Sequence, residues 1–120
     1  METFTGVTNC ATALIQILKN YCNILNRHKN NSINNTVISK IIVSDDKTRY
    51  LVIREGWNDT QRIHSLIFDA EIRNNKIWLH HDGLDHGITE ELLAAGIPKE
   101  KIVLAFHPPH IRQHTGYGIS

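Results

Sequence analysis

Apolar residues return at three- and four-residue steps through the first part of the chain, at Val7, Cys10, Leu14, Ile17, Leu18, Tyr21 and Leu25. That spacing lines them along one side of an amphipathic helix over about residues 7 to 27. Thr5, Thr8 and Asn9 are the candidate caps for its start, because short polar side chains accept hydrogen bonds from the orphan N–H groups of a first turn. A stripe of this kind covers a sheet, or serves as a dimer seam or partner groove. Between Arg27 and Thr36 the pattern stops: four asparagines and almost nothing apolar predict a loop that ends the helix.

Beyond the loop the composition changes to that of strands. Thr36 to Ser44, Thr48 to Glu55, Gln61 to Ile72 and Lys76 to Asp82 are rich in Ile, Val, Leu, Tyr and Trp. Asp45-Asp46-Lys47, Gly56-Trp57-Asn58-Asp59 and Asn74-Asn75 supply the turns between them. Such short connections favour antiparallel neighbours, since a parallel crossover needs a dozen or more residues.

Asp85 to Ala95 then reads as a short helix, with Thr89 as its cap, Glu90 and Glu91 at the positive end of its dipole and Gly96 as its stop. The apolar run Ile102 to Phe106 fits either a buried strand or a helical turn. The expected fold class is α+β. An N-terminal amphipathic helix packs on a four-stranded antiparallel meander, followed by a short helix and an irregular or short-strand C-terminal segment.

Composition limits this to one domain over residues 1 to 120: 41% apolar content supports a single core. The net charge of +1 does not by itself point to nucleic acid, but it is unevenly spread, +4 over residues 1 to 54 and −3 over residues 55 to 120. Cys10 and Cys22 sit on the predicted helix about 18 Å apart along its axis, at roughly 1.5 Å per residue, too far to pair. Neither a membrane span nor a cationic leader is visible, so the expected location is cytoplasmic, with no membrane partner.

Seven of the eight histidines fall between His64 and His114, which raises the question of metal binding or proton transfer. His80 and His81 are neighbours on a predicted strand and point to opposite faces, and the group His107, His110 and His114 lacks the helical HExxH spacing. Asp82, Asp85 and Glu90 do not have the spacing of a calcium loop; a capped loop entering the short helix explains the same residues. No nucleophile elbow, phosphate loop, zinc ribbon or dinucleotide fingerprint is present. No catalytic residue, metal ligand or cofactor is therefore expected. Trp57 with Arg62 forms a candidate aromatic and cationic contact pair. Trp78 reads as a core anchor. Arg112 could pair with a carboxylate of the fold, or with a phosphate or acidic partner.

The ordered set EGW at 55–57, Arg62, KIWLHHDG at 76–83, GITEELLAAGIPKEKIVLAFHPP at 87–109, and Arg112, Thr115, Gly116 and Tyr117 resembles the XisI family of cyanobacterial controlling factors for fdxN element excision. The resemblance is close over residues 48 to 120 and general over the first helix. Two departures stand out: Asn74-Asn75 replaces an expected Asp-Gly turn, and Asp69 stands where a histidine is expected. The resemblance implies a non-catalytic accessory role in programmed DNA rearrangement during heterocyst development, exercised by binding a XisH-type protein. The candidate contact residues are Trp57, Arg62, Asp82, Asp85, His107, His110, Arg112 and Tyr117. A homodimer fits a small sheet with an edge to cover. The rival readings are direct DNA binding through Arg27, Lys29, Lys40, Lys47, Arg49 and Arg54, and a small histidine- or metal-dependent enzyme.

Overall fold

The computed structural model describes residues 9–27 and 34–120. Helix α1 (Cys10–Arg27) starts where the Asn9 side-chain oxygen accepts the N–H groups of Ala11 (2.8 Å) and Thr12 (3.2 Å). Asn9 is thus the acting cap, while Thr5 and Thr8 lie outside the described residues. Cys10, Ala13, Leu14, Leu18 and Cys22 form the buried side of α1. Both cysteines are free, and burial pushes both thiols up from their ordinary value.

Five strands follow, β1 (Ile38–Val43), β2 (Arg49–Asn58), β3 (Gln61–Arg73), β4 (Lys76–Asp82) and β5 (Ile102–Leu104), hydrogen-bonded in the order β1-β2-β3-β4-β5. The first four form the expected antiparallel meander. The fifth is a correction to the four-stranded expectation: Ile102, Val103 and Leu104 pair in parallel with Ile77, Trp78 and Leu79. Residues 83–101 are long enough to carry the chain back for a parallel partner, and burial decides the strand reading of the apolar run.

Asn74 (φ +52°) and Asn75 (φ +61°) both occupy the left-handed region, as a two-residue hairpin between Arg73 and Lys76 requires. Asparagine meets that demand where an Asp-Gly pair was expected.

Helices α1 and α2 (Thr89–Ala94) pack on one face of the sheet. Leu14, Leu18, Phe68, Ile77, Leu79, Ile88, Leu92 and Ile102 are fully enclosed between the layers. The second helix is shorter than expected, and Thr89 is its first residue rather than its cap. Ile88 holds the cap position without a side-chain cap bond, and Asp82 fixes that residue from outside the helix by accepting the Ile88 N–H at 2.8 Å. The helix ends as predicted at Gly96 (φ +96°): Gly96 N–H donates to Leu93 O and Ile97 N–H to Leu92 O, the paired bonds of a Schellman motif. Pro108 is the extended cap of helix α3 (Pro109–Arg112), and Pro109 is its first residue, where a fixed φ suits the first turn. No helix among the described residues is long and apolar enough to cross a membrane.

Candidate functional site

Because cross-strand partners share a face, the register divides the sheet into two surfaces. Tyr50, Val52, Phe68, Ala70, Ile77 and Leu79 point at the helices. Their chain neighbours point away, so Arg49, Leu51, Ile53, Asp69, Glu71 and Trp78 belong to the opposite, open face. Along this open face the side chains fall into three zones.

The first zone is the tip of the β2–β3 hairpin. Trp57 is 48% exposed, and the Arg62 guanidinium lies 5.7 Å from its ring centroid. The expected aromatic and cationic pair therefore forms, and both side chains reach solvent. Glu55 accepts from Arg62 at 3.5 Å and forms an ion pair with Lys40 at 3.6 Å.

The second zone is apolar. Ile42 pairs with Leu51 and Ile53 with Leu66, placing these four side chains together across β1, β2 and β3. Ile42 is 42% exposed and Leu66 46%.

The third zone is ionic and ends on an aromatic ring. Arg49 forms a two-pronged pair with Asp69, at 2.6 and 2.9 Å, across neighbouring strands. This is what Asp69 does at the position where a histidine was expected. Glu71 accepts from Arg73 at 2.8 Å and bonds the His80 ring at 2.9 Å. These partners, Arg73 first and His80 second, hold the Glu71 carboxyl below its ordinary range. The Arg73 and Arg112 guanidiniums both lie over the Trp78 ring, at 4.1 and 5.5 Å from its centroid. Trp78 is buried, and its Nε1 has no hydrogen-bond partner among the described residues.

A pH prediction follows from Glu71. A carboxylate with a depressed folded pKa contributes its full stability above the unfolded value of about 4.3 and loses it as pH falls through the lower folded value. Glu71→Gln should therefore lower the urea midpoint at neutral pH and make the decline between about pH 5 and about pH 2 shallower. Parallel pH curves for the two proteins would show that the pairs contribute nothing.

The predicted contact residues do not converge on one site. Trp57 and Arg62 remain available at the hairpin tip. Asp82 is committed to the backbone, accepting from Leu84 as well as Ile88. Asp85 is exposed beside α1, where its N–H donates to the Tyr21 hydroxyl at 2.8 Å. It lines a groove of about 160 Å³ with Tyr21, Ile24, Leu25 and His86. Arg112 turns into the fold, donating to His107 O at 2.8 Å and Ala105 O at 3.4 Å. The His107 ring packs against Phe106 at 4.7 Å, and His110 is exposed on α3. Tyr117 packs against the core with the Lys99 ammonium 5.5 Å from its ring. No group of three or more His, Cys, Asp and Glu among the described residues is placed to hold a metal ion. Sequence reasoning missed Arg49, Asp69, Glu71 and Arg73 as a surface. Their signal was the alternation of Asp69, Glu71 and Arg73 with Phe68, Ala70 and Ile72.

A family model described as XisI protein matches residues 6–119. The chain belongs to the XisI family. A crystal structure of the fdxN element excision controlling factor XisI from Anabaena variabilis is similar, with a TM-score of 0.73 and 31% identity over 96% of this chain and 99% of that one. A XisI-like protein from the same organism has a TM-score of 0.65 and 28% identity, covering 89% of this chain and 99% of its own. No curated protein matches.

Several residues that carry the XisI resemblance have architectural work in this fold. Gly56 lets residues 36 and 37 pack on the hairpin, Gly96 ends α2, Pro109 starts α3 and Arg112 joins that turn to Trp78. Thr115 continues the chain of contacts, donating to Arg112 O and accepting the Tyr117 N–H.

Proposed function

We propose that this chain is a non-catalytic accessory factor of XisI type, controlling programmed excision of a DNA element, and that it acts in the cytoplasm by binding a XisH-type protein through the open face of its sheet. The excision role rests on family membership and on the description of the similar Anabaena variabilis structure. The observation that supports the mode of action is the apolar zone of Ile42, Leu51, Ile53 and Leu66. A contiguous exposed apolar area rimmed by polar groups marks interaction surfaces, and its burial contributes roughly 25 cal/mol per Å². Trp57 with Arg62 at one end and the ionic zone at the other give such an interface an aromatic anchor and a polar rim.

Direct DNA binding has less support in the geometry. Arg49 and Lys40 are paired with carboxylates on the open face, whereas Arg54 lies on the helix side with Tyr21 and Leu25. Lys29 lies outside the described residues. The basic residues named from the sequence are thus not gathered on one unpaired surface among the described ones.

Co-expression with a XisH-type protein tests the proposal. A stable complex is expected, together with a loss of co-purification of at least tenfold for Leu66→Lys, whose folding far-UV circular dichroism would verify. No complex under gentle conditions, or full retention by a folded Leu66→Lys protein, would overturn it.

A further inference from the structure

The sequence leaves Arg112 two kinds of partner, a carboxylate of the fold or a phosphate or acidic group from outside. Among the described residues its guanidinium touches the carbonyls of His107 and Ala105 and the Trp78 ring, and no carboxylate. A cation drawn partly out of water is ordinarily matched by an anion. Beside it Trp78 leaves a second donor idle. Its Nε1 is the one buried side-chain nitrogen or oxygen among the described residues that has no hydrogen-bond partner. Such a group calls for an acceptor, since an indole nitrogen can only donate. Arg73 adds a third set of donors: its Nε and Nη2 face Glu71 at 3.4 and 2.8 Å, which leaves Nη1 without a bond, as it is in Arg112. The two guanidinium carbons lie 4.1 and 5.5 Å from one ring centroid, so they are no more than about 10 Å apart. Glu71, the cross-strand partner of Trp78, is shared among Arg73, the His80 ring and, at 3.9 Å, Arg49. Lys76, cross-strand from Arg73, donates to Ser120 O. Arg112 therefore remains without a counter-ion of its own.

We infer that a tetrahedral oxyanion, a phosphate either free or carried as an ester, binds between Arg73 and Arg112 at the edge of the Trp78 ring, with the two Nη1 groups and the indole N–H as its donors. The number and spread of those donors select the ligand. A carboxylate has two oxygens in one plane, which match the fork of a single guanidinium. Phosphate presents oxygens in several directions and carries more than one charge near neutral pH, which suits donors divided between two guanidiniums and an indole. Binding asks one side chain to move, because the indole N–H is closed to water in the unliganded chain. Arg73 is the one that can give way: its side chain is 44% exposed, whereas two carbonyls anchor Arg112.

The indole N–H is its own reporter. A proton–nitrogen correlation spectrum of the nitrogen-15-labelled chain contains two indole signals, and Trp57→Phe identifies them by removing one. When sodium phosphate replaces sodium chloride at constant ionic strength, the Trp78 signal should move downfield and saturate within about 20 mM, while the Trp57 signal stays in place. Arg73→Gln should weaken the binding by about fivefold or more, through loss of a charge-assisted donor. Lys19→Gln, which removes an exposed cation on α1, should leave it unchanged. Arg112→Gln should abolish it where circular dichroism shows a folded chain; if that variant does not fold, Arg73→Gln against Lys19→Gln decides. Acetate should bind about tenfold more weakly than phosphate. Glycerol phosphate separates the two sources: tighter binding than inorganic phosphate assigns the site to an ester, and weaker or equal binding assigns it to the free ion. An unmoved Trp78 signal, equal movement of both indoles, equal weakening by Arg73→Gln and Lys19→Gln, or acetate binding as tightly as phosphate would overturn the inference. All of these are read on the chain alone, so they are distinct from co-purification with a XisH-type protein.

Discussion

Gly56→Ala should lose on the order of 3 to 5 kcal/mol of stability. A Cβ built at Gly56 would lie 2.5 Å from Thr36 O and 2.7 Å from both Thr36 C and Val37 Cα. All three neighbours are backbone, so no side-chain rotation relieves the clash. The segment is also pinned. Thr36 N–H donates to Trp57 O at 2.8 Å, and Trp57 N–H donates to the Thr36 hydroxyl at 2.9 Å. Moving residues 36 and 37 away would break bonds that attach the start of β1 to the hairpin. To this crowding is added a φ of +144°, which a side-chain-bearing residue adopts only at a cost. In thermal unfolding the loss should appear as a fall in Tm on the order of 10 °C or more. Gly116→Ala is the control, since Gly116 has φ +81° but nothing within 4 Å of a built Cβ. It should cost only about 1 to 2 kcal/mol, the conformational part alone. Equal losses at the two positions would show that close packing of residues 36 and 37 is not what Gly56 provides.

Most elements were legible because each rested on a local signal. The three- and four-residue period of α1, the turn residues between the strands and the glycine after α2 each encode a short-range constraint that tertiary contacts left intact. One reading left open and one misreading have a common cause. Ile102–Leu104 could be recognised as a strand only through Ile77, Trp78 and Leu79, its partners some 25 residues earlier. Likewise, nothing near Thr89 reveals that Ile88 takes the cap position because Asp82 holds its N–H. Non-local partners decided both.

The surface was less legible than the fold, for a related reason. Reading residues one at a time favoured chemically conspicuous ones, the histidines and Arg112, over the plain alternation that defines a sheet face. His80 turns out to matter as a partner of Glu71, and Asp69 as a partner of Arg49, each across a strand boundary. The Trp57 and Arg62 pair was readable because a two-residue hairpin turn makes those residues cross-strand neighbours. The apolar zone was hidden by the alternative that Leu51, Ile53 and Leu66 belong to the core. Only the placement of both α1 and α2 on the other face leaves them uncovered.

Arg112→Ala should cost about 2 to 4 kcal/mol and loosen the C-terminal turn. The guanidinium joins three separate pieces: it donates to His107 O at 2.8 Å, donates to Ala105 O at 3.4 Å, and lies 5.5 Å from the Trp78 ring centroid. A hydrogen bond from a charged donor contributes about 1.5 to 3 kcal/mol, and a desolvated cation over tryptophan up to about 2 kcal/mol. These terms share one side chain and do not simply add, hence the lower total. Truncation also uncovers Trp78, which is 8% exposed in the intact protein. Its fluorescence should therefore shift to longer wavelength in Arg112→Ala before global unfolding, with Trp57→Phe introduced to remove the other tryptophan's emission. Arg112→Lys should recover little, because an ammonium offers a point charge and cannot serve two carbonyls and a ring with one planar group. Limited proteolysis should cut between His107 and Tyr117 faster in both variants. Full rescue by lysine would mean that charge alone matters here. An unshifted Trp78 emission in Arg112→Ala would mean that Arg73, at 4.1 Å, covers the ring unaided.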